Sequence, residues 1–324
     1  MTDILRRNAM QSEQFLRISR LIGDEYVAQL QTRKILVVGL GAVGGMCLES
    51  LARSGIGTIT LVDFDIISIT NLGRQILATH QTLGKKKSLV AMQRVMDINP
   101  ECKVKALDLF CNKETLPEIF SEQYDLVIDA IDSLNPKCDL LQYCYVHDIP
   151  IVSSMGAALR RNPFLVRTAD LFDTYGCPLA KQVRNRLRRR NVGKGISVVF
   201  SPEIPRFTYK TPEEETQVAY NEQSPGNGRT RNVLGSLPTV TGIFGLNLAH
   251  LALSKLTCPE IFTGEAAFDA RTKVKTTAHS KRNTPQPEGF SKCLGTAGSK
   301  SNNPSATKLP LSANGASADV TNSH

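Results

Sequence analysis

No two cysteines in this chain stand in C-x-x-C spacing. The eight cysteines, at 47, 102, 111, 138, 144, 177, 258 and 293, therefore lack the usual signature of a structural zinc site. Several lie in apolar or helical stretches, where a reduced thiol behaves as a small hydrophobe, and this points to a reducing compartment. The first residues show no charged segment followed by an apolar one, so no secretory leader is expected and the chain reads as cytoplasmic. Long apolar runs are scarce as well. Residues 237–256 alone match a membrane span in length, but Gly242, Gly245, Asn247 and His250 interrupt them. A buried core helix is expected there, and no transmembrane segment. No internal repeat is present.

What the chain does have is 324 residues, 41% of them hydrophobic, which is enough for a sizeable core. Its formal charge is +9 and its pI is 9.2. An anionic partner and a plain solubility surplus are both compatible with that balance. The organising stretch runs from Arg33 to Gly45. A short β-branched run, Ile35 to Val38, breaks into glycines at Gly39, Gly41 and Gly44, and a helical pattern follows. Strand, glycine turn and helix start in that order predict a nucleotide-binding βαβ unit. Gly39 permits the tight turn, Gly41 lets a phosphate approach the backbone, and Gly44 lets the helix sit close to the strand.

Strands and helices then alternate. Helical patterns are expected at 12–31 with a break at Gly23, then at 43–53, 84–98, 113–120, 136–147, 178–190 and 239–256. Strands are expected at 58–62, 104–107, 126–130, 149–153, 164–168 and 198–200. The fold class is α/β, a Rossmann-like doubly wound and mostly parallel sheet flanked by helices. Residues 202–232 read as a long loop. From 257 the composition turns to Ser, Thr, Asn, Gly and Pro, so residues 1–256 are expected as one domain and 257–324 as a disordered polar tail.

Asp63 ends the second strand about 20 residues past the glycine turn, where a carboxylate accepts from ribose hydroxyls. NAD and ATP both satisfy that geometry. The residues that follow discriminate. Asp65, Asn71, Arg74, Gln75 and Lys87 lie just beyond the strand, where ligands collect in open α/β sheets. A triphosphate calls for more cations than a dinucleotide, Arg74 as a planar bidentate group and Lys87 as a point charge. Asp132, after the fourth strand, is a lone carboxylate of the kind that holds a hydrated magnesium ion beside phosphates. Further on, residues 181–194 carry seven Lys or Arg and no acid, with Leu179, Val183 and Leu187 every four residues. Arg184, Arg186, Arg188, Arg189 and Arg190 are expected to point outward and attract a phosphate backbone. No aromatic residue is interleaved, so base stacking is not encoded there.

The series Gly39-Leu-Gly-Ala-Val-Gly44, Asp63-Phe-Asp65, Asn71-Leu-Gly-Arg74-Gln75, Gly84-Lys-Lys-Lys87 and Asp129-Ala-Ile-Asp132 resembles the motifs of the ThiF/MoeB group. Those proteins share their fold with the ubiquitin-activating enzymes and adenylate a carboxylate. Within the group the chain is most similar to the tRNA threonylcarbamoyladenosine dehydratases. That match rests on Ala52-Arg-Ser-Gly-Ile-Gly57, Asp129-Ala-Ile-Asp-Ser133, Val199-Phe-Ser-Pro-Glu203, Arg231-Asn-Val-Leu-Gly-Ser236 and Gly242-Ile-Phe-Gly245, and the resemblance spans roughly residues 14–256.

The resemblance implies ATP and Mg2+ as cofactors, with Gly39, Gly41, Ala42 and Gly44 around the phosphates. Asp63 would bind the ribose, with Asp65 and Gln75 alongside. Arg74 and Lys87 would contact phosphates, Asn71 and Gln75 would position the reacting groups, and Asp132 would hold magnesium. It also implies a homodimer in which Arg17, with Arg20 as the other candidate, reaches the partner's site. Tyr175-Gly-Cys177 departs from the family pattern, with a cysteine where an aspartate is expected. The implied activity is ATP-dependent cyclisation of threonylcarbamoyladenosine in tRNA, with a sulfurtransferase-type partner left open. The alternatives are a sulfur-carrier adenylyltransferase and, from another class, a NAD-dependent oxidoreductase.

Overall fold

Val37 and Ile35 point to one side of the first strand, Leu36 and Val38 to the other, and all four are buried. A strand apolar on both faces belongs at the centre of a covered sheet. The structure, a computed structural model, describes residues 13–205 and 234–262. Its strands are β1 (Lys34–Val38), β2 (Thr58–Val62), β3 (Lys103–Leu107), β4 (Leu126–Asp129), β5 (Ile151–Ser154), β6 (Arg167–Asp170) and β7 (Ser197–Phe200). The helices are α1 (Leu16–Ile22), α2 (Asp24–Thr32), α3 (Ala42–Arg53), α4 (Lys87–Ile98), α5 (Leu116–Ile119), α6 (Leu134–Val146), α7 (Pro178–Arg188), α8 (Pro238–Leu256) and α9 (Pro259–Phe262).

The described strands form one sheet in the order β3-β2-β1-β4-β5-β7-β6. Every pairing is parallel except that of β6 with β7. On one face Ile35 and Val37 pack with Leu48 and Leu51 of α3, Val95 of α4, and Phe244 and Leu248 of α8. On the other, Leu36 and Val38 pack with Leu141 and Cys144 of α6 and Val183 and Leu187 of α7. The expected α/β sheet with helices on both faces is therefore present. The chain leaves β1 towards β2 on one side and meets β4 on the other, so strand order reverses between β1 and β4. A crevice opens at the carboxyl ends of strands at such a reversal.

Two boundaries differ from expectation for plain physical reasons. The helix expected from Gly84 starts at Lys87, because Gly84 N–H donates to Ile67 and Ile67 N–H to Lys85. Those bonds, with an antiparallel bridge between Ile66 and Lys86, tie together the two ends of the stretch between β2 and α4. The strand expected at 164–168 lies at Arg167–Asp170, since Pro163–Leu165 forms a 3-10 turn capped by Asn162. At the N-terminus the expected break is present, with Gly23 at φ +107° between α1 and α2. Residues 257–262, placed in the tail from sequence, include α9. The rest of that tail and residues 206–232 of the expected loop lie outside the described residues. No helix among those described is long and apolar enough to cross a membrane. α8 is a core helix, with Val240, Phe244, Leu248, Ala249 and Ala252 fully enclosed.

Candidate active site

β1 ends at Val38 and the chain turns at once. Gly39 has φ +91°, and a Cβ there would fall 2.8 Å from the Ala130 carbonyl oxygen. At Gly44, in the first turn of α3, a Cβ would stand 1.8 Å from the Gly39 carbonyl oxygen, so any side chain would lift the helix off the turn. Gly41 differs: the nearest atom its Cβ would meet is Nε2 of Gln75, at 3.9 Å. It leaves a face open at the start of α3, where no side chain caps the first N–H groups. Uncapped N–H groups at a helix N-terminus bind anions.

Asp63 leaves the carboxyl end of β2 and folds back onto this turn. Its Oδ2 accepts from the Leu40 N–H at 2.7 Å and its Oδ1 from the Asp65 N–H at 2.9 Å. The side chain is buried, and burial pushes its carboxyl above the ordinary range, partly offset by the Lys87 charge and the Leu40 N–H. Lys87, the first residue of α4, is tied to Asp65 twice. Its Nζ lies 2.8 Å from Oδ2, and its N–H donates to the Asp65 carbonyl at 3.0 Å. Lys87 is nearly enclosed while Asp65 is half-exposed. The pair carries one cation and one accessible carboxylate to the rim.

The turn at Ile69–Asn71 brings up the remaining polar groups. Oδ1 of Asn71 accepts from the Ser68 N–H at 3.1 Å, and Arg74 Nη1 donates to the Thr70 carbonyl at 3.0 Å. Gln75 is buried beside Gly41, and its Oε1 has no hydrogen-bond partner among the described residues. A buried amide oxygen left unpaired is costly, and it fits a site completed by a ligand donor. Across the crevice, Asp132 follows β4 and is exposed, accepting from Ser133 Oγ at 3.0 Å. Among the described residues, no group of three or more His, Cys, Asp or Glu is placed to hold a metal ion. A single carboxylate beside phosphates is nonetheless the usual protein share of a hydrated magnesium site.

A glycine turn, a ribose-type acid, a lysine and a lone metal-type acid thus meet at one strand-order reversal. The ThiF family model matches residues 13–293. This chain belongs to the ThiF family. It is 43% identical over 192 residues to the tRNA threonylcarbamoyladenosine dehydratase of Bacillus subtilis, covering 59% of this chain and 76% of that protein. With the Escherichia coli protein of that name it shares 35% over 253 residues, 75% of this chain and 93% of the relative. The crystal structure of that E. coli protein, TcdA, in complex with ATP superposes with a TM-score of 0.65 at 32% identity, covering 80% of this chain and 96% of the other. Its complex with AMP gives a TM-score of 0.66 at 33% identity, covering 76% and 94%.

Not every expected residue of this ThiF-family chain joins the site. Arg17 sits on α1, next to Phe15, whose ring packs about Gly55 with its atoms 3.3 Å from where a Cβ would be. Gly55 precedes β2, so α1 lies at the amino edge of the sheet, opposite the glycine turn. A cavity of 280 Å³, lined by Gln31, Gly57, Asn99, Lys103 and neighbours, also opens at that amino edge and is separate from the crevice. α7 ends at Arg188, two residues short of the expected end; Val183 and Leu187 face inward as expected, but the arginines of α7 and of the turn after it divide. Arg184 donates to Thr174 Oγ1, and Arg190 lies 2.7 Å from Asp139 of α6. Arg188 sits 5.3 Å over the Phe172 ring, while Arg189 is exposed and Arg186 half-buried. Cys177 is buried at the start of α7.

Sequence reasoning missed one group altogether. Lys137 of α6 is wholly enclosed and lies 2.6 Å from Asp129, the last residue of β4. Its signal was a lysine at helical spacing from Leu141 and Cys144, on the face that packs inward.

Proposed function

We propose that this protein catalyses the ATP-dependent dehydration of threonylcarbamoyladenosine in tRNA, cyclising the modification by first adenylating its carboxylate. The observation that carries the reading is the cluster at the β1–β4 crevice. Asp63, Gln75, the Lys87–Asp65 pair and Asp132 surround an uncapped helix start, in a ThiF-family chain similar to dehydratases along most of its length. ATP supplies the adenylyl group: a substrate carboxylate oxygen bonds to the α-phosphorus, pyrophosphate leaves, and ring closure within the same side chain then releases AMP.

The residues divide that work. Asp63 accepts from the ribose hydroxyls, and the Gly39–Gly44 turn with the start of α3 receives phosphate oxygens. Lys87 and Arg74 offset the negative charge that grows on the phosphates as pyrophosphate departs. Asp132 would hold magnesium, which adds a compact positive charge at the same point. Asn71 and Gln75 orient the reacting groups. Ring closure draws its speed from proximity, so no protein nucleophile is required. Burial raises the thiols of Cys102 and Cys111 to about 12 and that of Cys138 to about 11, which suits residues with no chemical part. The enzyme works as a cytoplasmic homodimer, each site completed by Arg17 of the partner subunit. The tRNA backbone docks on the exposed cations of α7.

Pyrophosphate release with ATP, magnesium and tRNA bearing the open modification tests the reading. Release should be stimulated by that tRNA and not by unmodified tRNA or by a small protein ending in Gly-Gly. Lys87→Ala and Asp132→Ala should each slow release by about 10²–10³-fold. Unchanged release in either variant removes that residue from the site. A sulfur-carrier adenylyltransferase would respond to the protein instead of the tRNA, and an oxidoreductase would bind NAD in preference to ATP.

A further inference from the structure

We infer that Lys137 and Asp129 form the positioning unit for the turn that carries Asp132, and so govern magnesium affinity from behind the site. This rests on the reading of Asp132 as the magnesium carboxylate.

Both side chains are entirely enclosed, with Nζ of Lys137 2.6 Å from Oδ2 of Asp129. Ser153 on the neighbouring strand completes the cluster. Its Oγ donates to the same Oδ2 at 2.6 Å and lies 3.3 Å from Nζ. The other carboxylate oxygen, Oδ1, accepts from the Ile131 N–H at 3.0 Å. Asp129 thus spends one oxygen on anchors beneath the sheet edge and the other on the backbone of the turn above it.

That turn is short and closed at both ends. Asp129 and Lys137 lie eight residues apart, one ending β4 and the other in the first turn of α6. Between them, the Ala130 N–H donates to Val38 at 2.9 Å, and the Lys137 N–H donates to Ser133 at 3.1 Å. The carbonyl of Ala130 and the nitrogen of Ile131 are the atoms that crowd Gly39. The segment Ala130–Asp132 is therefore clamped between the glycine turn and Oδ1 of Asp129, and Asp132 is its last residue.

A buried ion pair is no strong source of stability, because an apolar pair of similar volume would avoid the desolvation of two charges. An apolar pair would fail in another way. It offers no acceptor for the Ile131 N–H, and that bond sets the direction in which the chain leaves β4. Lys137, 2.6 Å from Oδ2, holds the Asp129 side chain oriented for it. Partners of this kind, one step removed from a metal ligand, change metal affinity when lost.

The test is calorimetric titration of ATP at stepped MgCl2 concentrations, which reads binding without turnover. Lys137→Met and Asp129→Asn should raise the magnesium concentration for half-saturation by about 10-fold or more. At saturating magnesium the affinity for ATP should stay within about twofold, because the changed term is metal affinity. Ser153→Ala, which spares the ion pair, should give a smaller rise in the same direction. It serves if the other variants do not fold. The double variant Lys137→Met/Asp129→Leu should recover thermal stability while half-saturation stays high. The inference is overturned if folded variants keep wild-type half-saturation, or if the apolar double variant restores it. Asp132→Ala separates the two levels. If it leaves half-saturation unchanged, the magnesium role of Asp132 falls and this inference with it. If it weakens magnesium and Lys137→Met does not, only the inference falls.

Discussion

For the ribose contact proposed for it, Asp63 must stay charged where its surroundings oppose the charge. Burial raises its carboxyl, and the Lys87 charge and the Leu40 N–H only partly restore it. A folded-state value above the unfolded one means that the folded protein holds this proton more tightly. Its contribution to stability is then fully present below the ordinary aspartate value, about 3.9, and is lost as pH rises through the raised folded value. Nucleotide binding runs the other way, because the ribose hydroxyls need an acceptor. ATP affinity should fall on acidification, starting at a higher pH than an exposed aspartate would cause. In Asp63→Asn that pH step should vanish, and affinity at neutral pH should drop by about 1.5–3 kcal/mol, the worth of a hydrogen bond to a charged group. Calorimetry of ATP binding between neutral and mildly acidic pH checks both. Asp63 was legible in the sequence because its distance from the glycine turn is fixed by one strand and one helix. Lys137 was not. Burial of a lysine depends on a partner ending another element, and only its spacing from Leu141 and Cys144 hinted at the enclosed face.

At the scale of elements, α7 shows what an amphipathic pattern reveals and what it hides. The apolar spacing placed Val183 and Leu187 inward, where both are buried. The arginines all looked alike because outward direction is the only thing a helical pattern reports. Arg190 instead crosses to Asp139 of α6, with both side chains mostly buried, and Arg184 bonds Thr174. The first reaches another helix and the second reaches back to the turn ahead of α7, and no helical period encodes either. The same blindness moved the start of α4 to Lys87, since the bonds between Gly84, Lys85 and Ile67 are pairings of backbone. Two kinds of arginine should then behave differently. Arg189→Glu with Lys181→Glu, both exposed, should weaken tRNA binding and lower the slope of log affinity against log salt by about 1 per residue. Thermal stability should change by no more than about 0.5 kcal/mol. Arg190→Ala should cost about 1–3 kcal/mol of stability and leave the salt slope nearly unchanged. Filter binding across a salt series and thermal unfolding measure the two effects.

The whole molecule poses a problem that one chain does not solve. The family resemblance calls for an arginine from the N-terminal helix at the phosphates, yet α1 lies at the amino edge of the sheet with no buried residue of its own. Leu21 is 73% exposed there and Leu16 42%, apolar surface on a helix whose Ile22 packs against the core. Both facts suit an element made to dock on a second copy, where a two-fold axis would carry each α1 to the other subunit's crevice. Mixed dimers decide it. Arg17→Ala and Asp132→Ala should each be nearly inactive alone. Mixed in equal amounts and allowed to exchange subunits, half of the dimers pair the two variants. In each such dimer one site combines an intact Asp132 with an intact Arg17, and the other carries both defects. Pyrophosphate release should therefore return to about one quarter of the wild-type rate, as random pairing of two-fold dimers requires. If Arg17 served its own subunit, every site in the mixture would stay defective and the rate would not recover. The same outcome with Arg20→Ala in place of Arg17→Ala would assign the role to the other arginine of α1.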